Sequence, residues 1–564
     1  MSSMSAQPAA TSVLLPTPTG LGCRVEYALL ALLFCLGFFG YLMPALGYFT
    51  MIPGDLGDAR FNSVILEHGY QWLTGQTPHL WSPGFFYPFE RVLGLSDNHF
   101  GSVWSYALLR GAGLTREMAY SGWFLVGTVL NFWVCWWVLK REGFATVAAG
   151  AGAFVFAFAL PMLHQEGHAQ MVYRFAVPLA VFAAYRGLVH KDIAALAQAV
   201  FWCGVQFLCS IYLGVFLVYL LIAGFFAYLA VNGIAGFPNR ATLRWGIEND
   251  RHSLWMWVGF ALVVGIAVIL LLRHYHQIAS DFGVVRPLDD LRALLPRPVS
   301  YLLADNSQLT RWVGAGVMPF AERPEHQMFV GIGVLILVAT GCVGMFLGQA
   351  VSAHLRKLAC IAALTLTLLV ALTLLVRDFS VYYWLLNVPG IAAVRVVSRI
   401  ILVMLLPIAV LVAVGVEWLR SRSSHSWYIR TIVVLFAYLV VAAETMHYQP
   451  KSFTVQSWLD RQDALQLAID LPPSGDTILY VTQRKSKPFY ITELDAMIYA
   501  QDHHLYTLNG YSGSTPPGYA YPDPCLPADT RLKGYFTFRN VPEARQQALL
   551  SQLKTVALEP CAKN

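Results

Sequence analysis

Two aspartates, Asp55 and Asp58, stand three residues apart directly after the first long apolar stretch of the chain. A carboxylate beside a hydrocarbon core is costly and is therefore a candidate for function. Either could act as a general base that takes a proton from a hydroxyl nucleophile, with Asp58 preferred and Asp55 in reserve. The structural alternative makes Asp58 the N-cap of a helix and Asp55 a turn residue.

Two arginines near the end of the apolar part, Arg395 and Arg399, could bind an anion. They are four residues apart, so on a helix they would share one face. Arginine binds phosphate through two parallel hydrogen bonds, which makes the phosphate of a lipid a suitable ligand. The alternative is salt bridging to Asp378 or to lipid headgroups.

Three further short segments carry polar side chains that could orient a substrate. Each could instead be an ordinary polar turn. Glu166, with Asp58, could also help to hold a divalent ion such as Mg²⁺ or Mn²⁺, although the spacing of its neighbouring histidines is not a zinc motif. The cofactor is left open between none and such a metal. The candidate orienting residues are Asp97, His99, His164, Glu166, His168, Glu325 and His326.

The elements that must position these residues are membrane-spanning helices. Of 564 residues, 57% are hydrophobic and only 12% are charged, against about 25% charged in soluble proteins. The net charge of +6 is modest and does not indicate nucleic-acid binding. About 20 apolar residues span a bilayer. The chain has eleven such segments, at 25–50, 118–139, 144–162, 170–188, 193–211, 213–231, 253–272, 328–348, 358–376, 400–418 and 431–447.

Basic residues concentrate in alternate loops, which predicts the orientation. By the positive-inside rule these loops are cytoplasmic, and so is the N-terminus. The extracytoplasmic parts are then 51–117, 163–169, 273–327, 377–399 and 448–564, which include every candidate residue above. The basic groups are Lys140 and Arg141, Arg186 and Lys191, Arg240, Arg244 and Arg251, Arg356 and Lys357, and Arg420, Arg422 and Arg430.

The chain divides into three parts. Residues 1–22 are predicted to be a disordered cytoplasmic tail, 23–447 the membrane domain, and 448–564 a small α/β extracytoplasmic domain. In the last part, 476–483 is predicted as a strand and 461–475 as a helix that ends in a turn. Cys525 and Cys561 lie in this part, where an oxidising compartment favours a disulfide over two free thiols.

The segment after Asp58 is predicted to be an amphipathic helix at the membrane surface. Phe61, Val64, Ile65 and Trp72 fall on one helical face, with His68 in the same stripe. The spans themselves contain few charges, whereas a transporter would place ionisable groups near the middle of the membrane. This distribution favours chemistry at the interface on a lipid-linked substrate.

Several motifs together resemble the GT-C superfamily of membrane glycosyltransferases. The stretch Asp58-Ala59-Arg60-Phe61-Asn62 is similar to the start of the first outer loop in that superfamily, although Ala59 stands where relatives have Pro or Glu. The order of the motifs is most similar to that of uncharacterised bacterial GT-C-like proteins. These motifs are Asp55 and Asp58, Tyr87-Pro88, Ser96-Asp97, Arg395 to Arg399, and Asn509 to Gly513.

The resemblance implies a polytopic α-helical fold of about eleven spans, a bacterial cytoplasmic (inner) membrane location and a polyprenyl-phosphate-linked sugar donor. It implies inverting transfer to a glycan, lipid or protein acceptor, with Asp58 as the base and Arg395 and Arg399 on the donor phosphate. Membrane lipids are expected partners and nucleic acid is not. Alternatives are a flippase or exporter of lipid-linked glycans, an O-antigen polymerase or ligase, and a non-enzymatic membrane scaffold.

Overall fold

The structure is a computed structural model of the chain. It describes residues 20–233, 251–283, 287–347, 350–386, 394–423, 426–469, 477–483, 488–519, 523, 525–559 and 561. The predicted tail lies outside these residues except for its last three, which begin the first helix. Arg240 and Arg244 also lie outside them.

Helices make up most of the described chain. The α-helices are α1 (Gly20–Gly37), α2 (Met43–Ala45), α3 (Asp58–Leu73), α4 (Val103–Gly111), α5 (Arg116–Arg141), α6 (Thr146–Phe158), α7 (Leu160–Leu163), α8 (Ala176–Val189), α9 (Ile193–Cys209), α10 (Ile211–Asn232), α11 (Arg251–Asp281), α12 (Leu288–Leu294), α13 (Ile332–Leu347), α14 (Ala353–Thr373), α15 (Tyr382–Leu385), α16 (Ile401–Arg422), α17 (Trp427–Met446), α18 (Val455–Ala468), α19 (Phe489–Asp502), α20 (Ala528–Arg539) and α21 (Glu543–Ser551). A π-helical turn follows α1 at Phe38–Leu42, and 3-10 turns lie at Gly47–Phe49, Val92–Leu95, Ala169–Met171, Pro298–Leu302, Arg311–Gly314, Arg323–His326 and Val397–Ile400.

Nine helical segments among the described residues are long and apolar enough to cross a membrane. The prediction of a polytopic helical membrane protein is therefore confirmed. The predicted number of spans was eleven; the other two predicted segments form the shorter apolar helices α9 and α13. The nine are Gly22–Ala45, Arg116–Arg141, Thr146–Leu163, Ala169–Val189, Ile211–Asn232, Arg251–Asp281, Ala353–Thr373, Val397–Arg422 and Trp427–Met446.

The centre of the helical bundle is α16, which is buried from Ile401 to Glu417. It packs against α6, α13 and α14. Gly341 on α13 and Gly415 on α16 face each other's helix, and a Cβ at either position would overlap a backbone carbonyl of the other helix. Small residues let apolar helices approach closely and gain dispersion contacts. By contrast, α11 leaves most of its apolar surface outside the protein.

The segment after Asp58 forms the predicted helix, α3, but protein covers it on nearly all sides. A helix resting alone on a membrane surface would leave its polar face in water. Here the polar residues Arg60, Glu67 and Gln71 are buried together with the apolar stripe. The helix lies between α4 and α5 on one side and α19 of the C-terminal segment, residues 448–564, on the other. It is therefore a core element.

The C-terminal segment contains a three-stranded parallel sheet. Strand β3 (Ile478–Thr482) lies between β4 (Tyr506–Thr507) and β5 (Leu553–Ala557). The predicted strand at 476–483 corresponds to β3, and the predicted helix at 461–475 to α18, whose predicted final turn lies outside the described residues. Cys525 and Cys561 form a disulfide.

Buried ion pairs and a small sheet hold the C-terminal segment on the bundle. Strand β1 (Met51–Pro53), just after the first span, pairs antiparallel with β2 (Ser452–Thr454), just after the last. Asp495 on α19 accepts hydrogen bonds from Arg60 on α3 and from Arg461, and both Arg60 and Asp495 are wholly buried. Since an unpaired buried charge is costly, Arg60 and Asp495 each require the other in the docked arrangement.

We expect Asp495→Asn to destabilise the docking of the C-terminal segment. Removing one partner of a buried pair costs about 3–5 kcal/mol, because Arg60 stays buried with its charge unmatched. The measurement is limited proteolysis and thermal unfolding of the purified protein in detergent. Asp460→Asn is the control, because Asp460 is exposed and its one side-chain hydrogen bond among the described residues is with Gln456. Equal behaviour of the two variants would contradict the prediction.

Candidate functional site

A cavity of about 1770 Å³ opens at the end of the bundle where α3 begins. Its polar end is lined by Asp58, His168, Glu325, Arg395 and Arg399. A second wall, from the C-terminal segment, consists of Phe489, Tyr490 and residues 511–515. A third wall comes from the spans α10, α11 and α14. The site therefore combines segments that are hundreds of residues apart in sequence.

The apolar wall runs a long way down the bundle. On α10 the lining residues extend from Ile211 to Phe226, which at 1.5 Å per residue is roughly 22 Å. Beyond Tyr219 the lining side chains of α10 and α14 are all hydrocarbon or aromatic. They are Ile222, Ala223, Phe226, Leu368 and Leu372. Such a groove can accommodate an alkyl or isoprenoid chain.

Asp58 lies at the first position of α3, and Asp55 has a different role. The Oδ1 atom of Asp55 accepts hydrogen bonds from the backbone N–H groups of Gly57 (2.9 Å) and Asp58 (3.0 Å). These are the bonds of an Asx turn, so Asp55 has the turn role of the structural alternative. Asp58 is not the N-cap that this alternative made it, because Gly57 occupies that position. Asp55 does not line the cavity, whereas the Asp58 carboxylate does.

The turn before Asp58 is pressed against the 163–168 loop. Gly54 has φ +98°, and a Cβ there would lie 2.8 Å from the Cα of Gly167. Only glycine fits both this conformation and this approach. The contact brings the imidazole of His168 to the Asp58 carboxylate, with Nδ1 3.0 Å from Oδ2.

His168 lies between two carboxylates. Its other nitrogen, Nε2, is 3.3 Å from Oε1 of Glu325. Carboxylate oxygens only accept hydrogen bonds, so both ring nitrogens must carry hydrogen and the ring is an imidazolium. Burial and the charge of Arg399 lower the pKa of His168, but Glu325 and Asp58 outweigh them and the pKa is raised.

Glu325 in turn is held by Arg399. The arginine donates from Nε to Oε2 (3.0 Å) and from Nη2 to Oε1 (2.7 Å), a bidentate pair. Although burial opposes ionisation, Arg399 and His168 keep the pKa of Glu325 well below its ordinary value. We call the sequence Asp58–His168–Glu325–Arg399 the charge chain. Its two negative and two positive groups balance.

Arg395 adds one positive charge to this balanced set. Its backbone N–H donates to the hydroxyl of Tyr212. The guanidinium lines the cavity and forms no salt bridge with any described residue. The prediction that Arg395 and Arg399 share a helical face is wrong, because residues 394–396 are not helical and only Arg399 lies in the 3-10 turn before α16. Both nevertheless line the cavity.

Tyr511 is a site residue that sequence reasoning did not assign. Its hydroxyl donates to Oδ1 of Asp58 at 2.7 Å. Burial would raise the pKa of Asp58, but the hydrogen bond and charge of His168, with Tyr511 and Arg399, outweigh it and lower the pKa. Asp58 is therefore a carboxylate at neutral pH. The only available signal for Tyr511 was its place in the 509–513 motif.

Asp97 also lines the cavity, but its oxygens bind the start of α10. They accept from Asn98 N (2.9 Å), Ile211 N (2.7 Å) and the Ser210 hydroxyl. Burial raises the pKa of Asp97 to about 6. His99 is buried behind the cavity wall and bonds Oδ1 of Asn62 at 2.8 Å, and burial lowers its pKa to about 3. Asp97 thus positions backbone, and His99 positions the side chain of Asn62, which lines the cavity.

Glu166, His164 and His326 lie outside the cavity lining. Glu166 accepts from Tyr41 and from the backbone of Lys451, and burial raises its pKa to about 8. His164 bonds Pro324 O at 2.8 Å, and burial lowers its pKa to about 4. His326 lies between Ser300 and Ala293 O. These three side chains hold loops together at this end of the bundle.

The metal hypothesis joined Asp58 to Glu166, and the two carboxylates do not line one cavity. Within the part of the chain that the structure describes, no three His, Cys, Asp or Glu side chains are grouped so as to hold a metal ion. The chemistry available from the described lining residues is that of a carboxylate, an imidazolium and two guanidiniums, those of Arg395 and Arg273, that have no salt bridge to a described residue.

Comparison with known proteins adds no relative: no protein-family model matches the chain, and no curated protein matches it. The geometry of the cavity therefore carries the functional argument.

We expect Glu166→Gln to remove a pH dependence of stability. The folded pKa of about 8 exceeds the ordinary value of 4.5, so the contribution of Glu166 is complete below pH 4.5 and is lost as pH rises through 8. The unfolding midpoint of the unmodified protein should fall between pH 5 and pH 8 more than that of the variant. Glu322→Gln, at an exposed position, is the control; equal slopes in all three proteins would contradict the assignment.

Proposed function

We propose that the chain is a membrane glycosyltransferase that transfers a sugar from a polyprenyl-phosphate donor to an acceptor at the outer face of a bacterial cytoplasmic membrane. The observation that carries the proposal is that one cavity holds an ionised carboxylate, an arginine with no salt bridge to any residue that the structure describes, and a long apolar groove. These are the groups needed to activate a hydroxyl, to bind a phosphate and to hold an isoprenoid chain. The GT-C resemblance of the motifs agrees with it.

The donor binds along two of the three walls. Its isoprenoid chain lies in the groove of α10, α11 and α14, which removes apolar surface from contact with water or headgroups. Its phosphate binds Arg395, which lines the polar end of the cavity and has no salt bridge to a described residue, whereas Arg273, also without one, lies on the span α11. Arg399 is already paired with Glu325 through two hydrogen bonds. It therefore contributes to phosphate binding only through the electric field of its positive charge.

Asp58 is the general base. The acceptor oxygen forms a bond to the anomeric carbon as the bond from that carbon to the phosphate oxygen breaks. The hydroxyl proton passes to Asp58, and polyprenyl phosphate leaves with its charge stabilised by Arg395. Attack opposite the leaving group inverts the configuration at the anomeric carbon.

A flippase for lipid-linked glycans is disfavoured by the same cavity. A flippase needs polar side chains across the full membrane depth to pass a sugar headgroup. The charged lining groups of the loops lie at one end, Arg273 and His276 lie in the last nine residues of α11, and the deeper lining residues of α10 and α14 are apolar. This distribution holds the headgroup at the interface, where a transferase needs it.

The first test compares Asp58→Asn with Asp55→Asn. We expect Asp58→Asn to lower transfer by about 10²–10⁴-fold, the usual contribution of a general base. Asp55→Asn should retain most activity, because Asp55 does not line the cavity and its hydrogen bonds within the described structure come from backbone donors. The assay supplies a panel of polyprenyl-phosphate sugars and cell-envelope extract to correctly inserted, purified protein. Loss of transfer in Asp55→Asn but not in Asp58→Asn would reverse the assignment.

The second test separates the two arginines. Arg395→Ala should raise the KM for donor by about 10- to 100-fold, since a hydrogen bond to a charged group contributes about 1.5–3 kcal/mol. Its unfolding midpoint should change little, because the guanidinium has no salt bridge to lose. Arg399→Ala should lower the midpoint, because it leaves Glu325 buried without its bidentate partner. The opposite pattern would place the phosphate at Arg399.

The third test is a pH profile. His168→Ala removes the hydrogen bond and positive charge that most lower the pKa of Asp58, so the acidic limb of kcat/KM should move to higher pH. Activity depends on the Asp58 carboxylate and is lost as pH falls through its pKa. His79→Ala, at an exposed loop position, is the control. An unchanged acidic limb in His168→Ala would mean that another group titrates.

A further inference from the structure

The wall contributed by the C-terminal segment is chemically distinct from the rest of the cavity. Its lining residues are Phe489, Tyr490 and 511–515, the sequence Tyr-Ser-Gly-Ser-Thr, and none carries a charge. The rings of Tyr490 and Tyr511 have centroids 5.9 Å apart, and those of Phe489 and Tyr490 are 5.7 Å apart. The wall is thus an aromatic surface bordered by hydroxyl groups.

Two polar atoms on the cavity lining have no partner in the described structure. Ser512 Oγ and Gln170 Oε1 are both buried, and neither has a hydrogen bond. A buried polar group left unpaired costs about 1–3 kcal/mol. Ser512 belongs to this wall and Gln170 to the 3-10 turn Ala169–Met171 on the bundle side of the cavity. A ligand with hydroxyl groups would supply partners to both side chains once they rotate towards it, whereas a hydrocarbon ligand would leave both unpaired.

The aromatic wall lies directly beside the proposed base. Tyr511 donates to Oδ1 of Asp58 at 2.7 Å. The ring of Tyr490 packs on the turn before Asp58, where a Cβ at Gly57 would lie 3.1 Å from its Cε2 atom. An attacking hydroxyl must come within about 2.6–3.2 Å of the base. The molecule that carries it must therefore lie alongside Tyr511 and Tyr490.

Sugar rings combine the two properties that this wall matches. One face of a pyranose presents several polarised C–H groups, which are attracted to the electron-rich face of an aromatic ring. Its edge presents hydroxyls that can both donate and accept. A lipid acceptor would need an apolar surface beside the base, and the apolar wall belongs to the spans. A charged acceptor would need countercharges, which the wall lacks.

We propose that the wall formed by Phe489, Tyr490 and residues 511–515 binds a carbohydrate acceptor, stacking a sugar ring on Tyr490 and Tyr511 and bonding its hydroxyls to Ser512 and Gln170. This inference rests on the proposed transferase function and names the acceptor class for that reaction. The acceptor is a neutral glycan rather than a protein or a lipid.

The test measures transfer from the productive polyprenyl-phosphate sugar to three classes of acceptor. These are methyl pyranosides and neutral oligosaccharides, a mixture of Ser-, Thr- and Asn-containing peptides, and diacylglycerol in detergent. We expect transfer to the carbohydrate class. Transfer to peptides or diacylglycerol alone would overturn the inference and leave the proposed function standing. Absence of transfer to all three and to envelope extract would count against both.

The variants Tyr490→Leu and Ser512→Ala test where in the cavity the sugar ring of the acceptor binds. We expect each to raise the KM for the oligosaccharide acceptor, by about tenfold or more for Tyr490→Leu, while the KM for donor stays constant. Tyr490→Phe should retain stacking and most activity. The control is Tyr506→Leu, a tyrosine of the same segment that does not line the cavity and stacks on Tyr87. A rise in the donor KM with a constant acceptor KM would assign the wall to the donor sugar and overturn the proposal.

Discussion

The charge chain is the constraint on which the site depends. Asp58, His168, Glu325 and Arg399 come from four separate segments, and each is held by the next. Removing charges from water is favourable only where each has a close partner of opposite sign. The turn before α3, the 163–168 loop, the loop before α13 and the start of α16 must therefore meet at one point. Their meeting forms the polar end of the cavity.

The position of α3 follows from the same requirement. Its polar side chains could not be buried by an apolar bundle alone, and the C-terminal segment supplies Asp495 and Gln501 as partners for Arg60 and Gln71. The segment is for this reason a structural part of the cavity. Because it is docked there, Tyr511 and Tyr490 reach the Asp58 turn. The three walls differ in chemistry: the wall of the spans is mainly apolar, the polar end is charged, and the C-terminal wall is aromatic with hydroxyls.

The sequence was informative where a feature is local. Apolar length located the spans, and the first-loop aspartates and late arginines line or adjoin the cavity. It could not rank Asp55 against Asp58, because that depends on which side chain turns back to the helix N–H groups. It could not separate Arg395 from Arg399, because the partner, Glu325, is 74 residues away. Glu166 and Glu325 were both predicted to orient a substrate. Glu166 instead accepts a hydrogen bond from the backbone of Lys451 and lies outside the cavity lining. Tyr511 was missed because its partner is 453 residues away.

The pairing of β1 with β2 bears on how the protein is made. Chain leaves the ribosome from the N-terminus, so residues 51–53 are complete long before residues 452–454 exist to pair with them. The turn before Asp58 is synthesised before all the later spans. The hydrogen bond from Tyr511 to Asp58 can form only when synthesis is nearly finished. Nascent chains that end before residue 511 consequently lack both the Tyr511 hydrogen bond to Asp58 and the aromatic wall of the cavity.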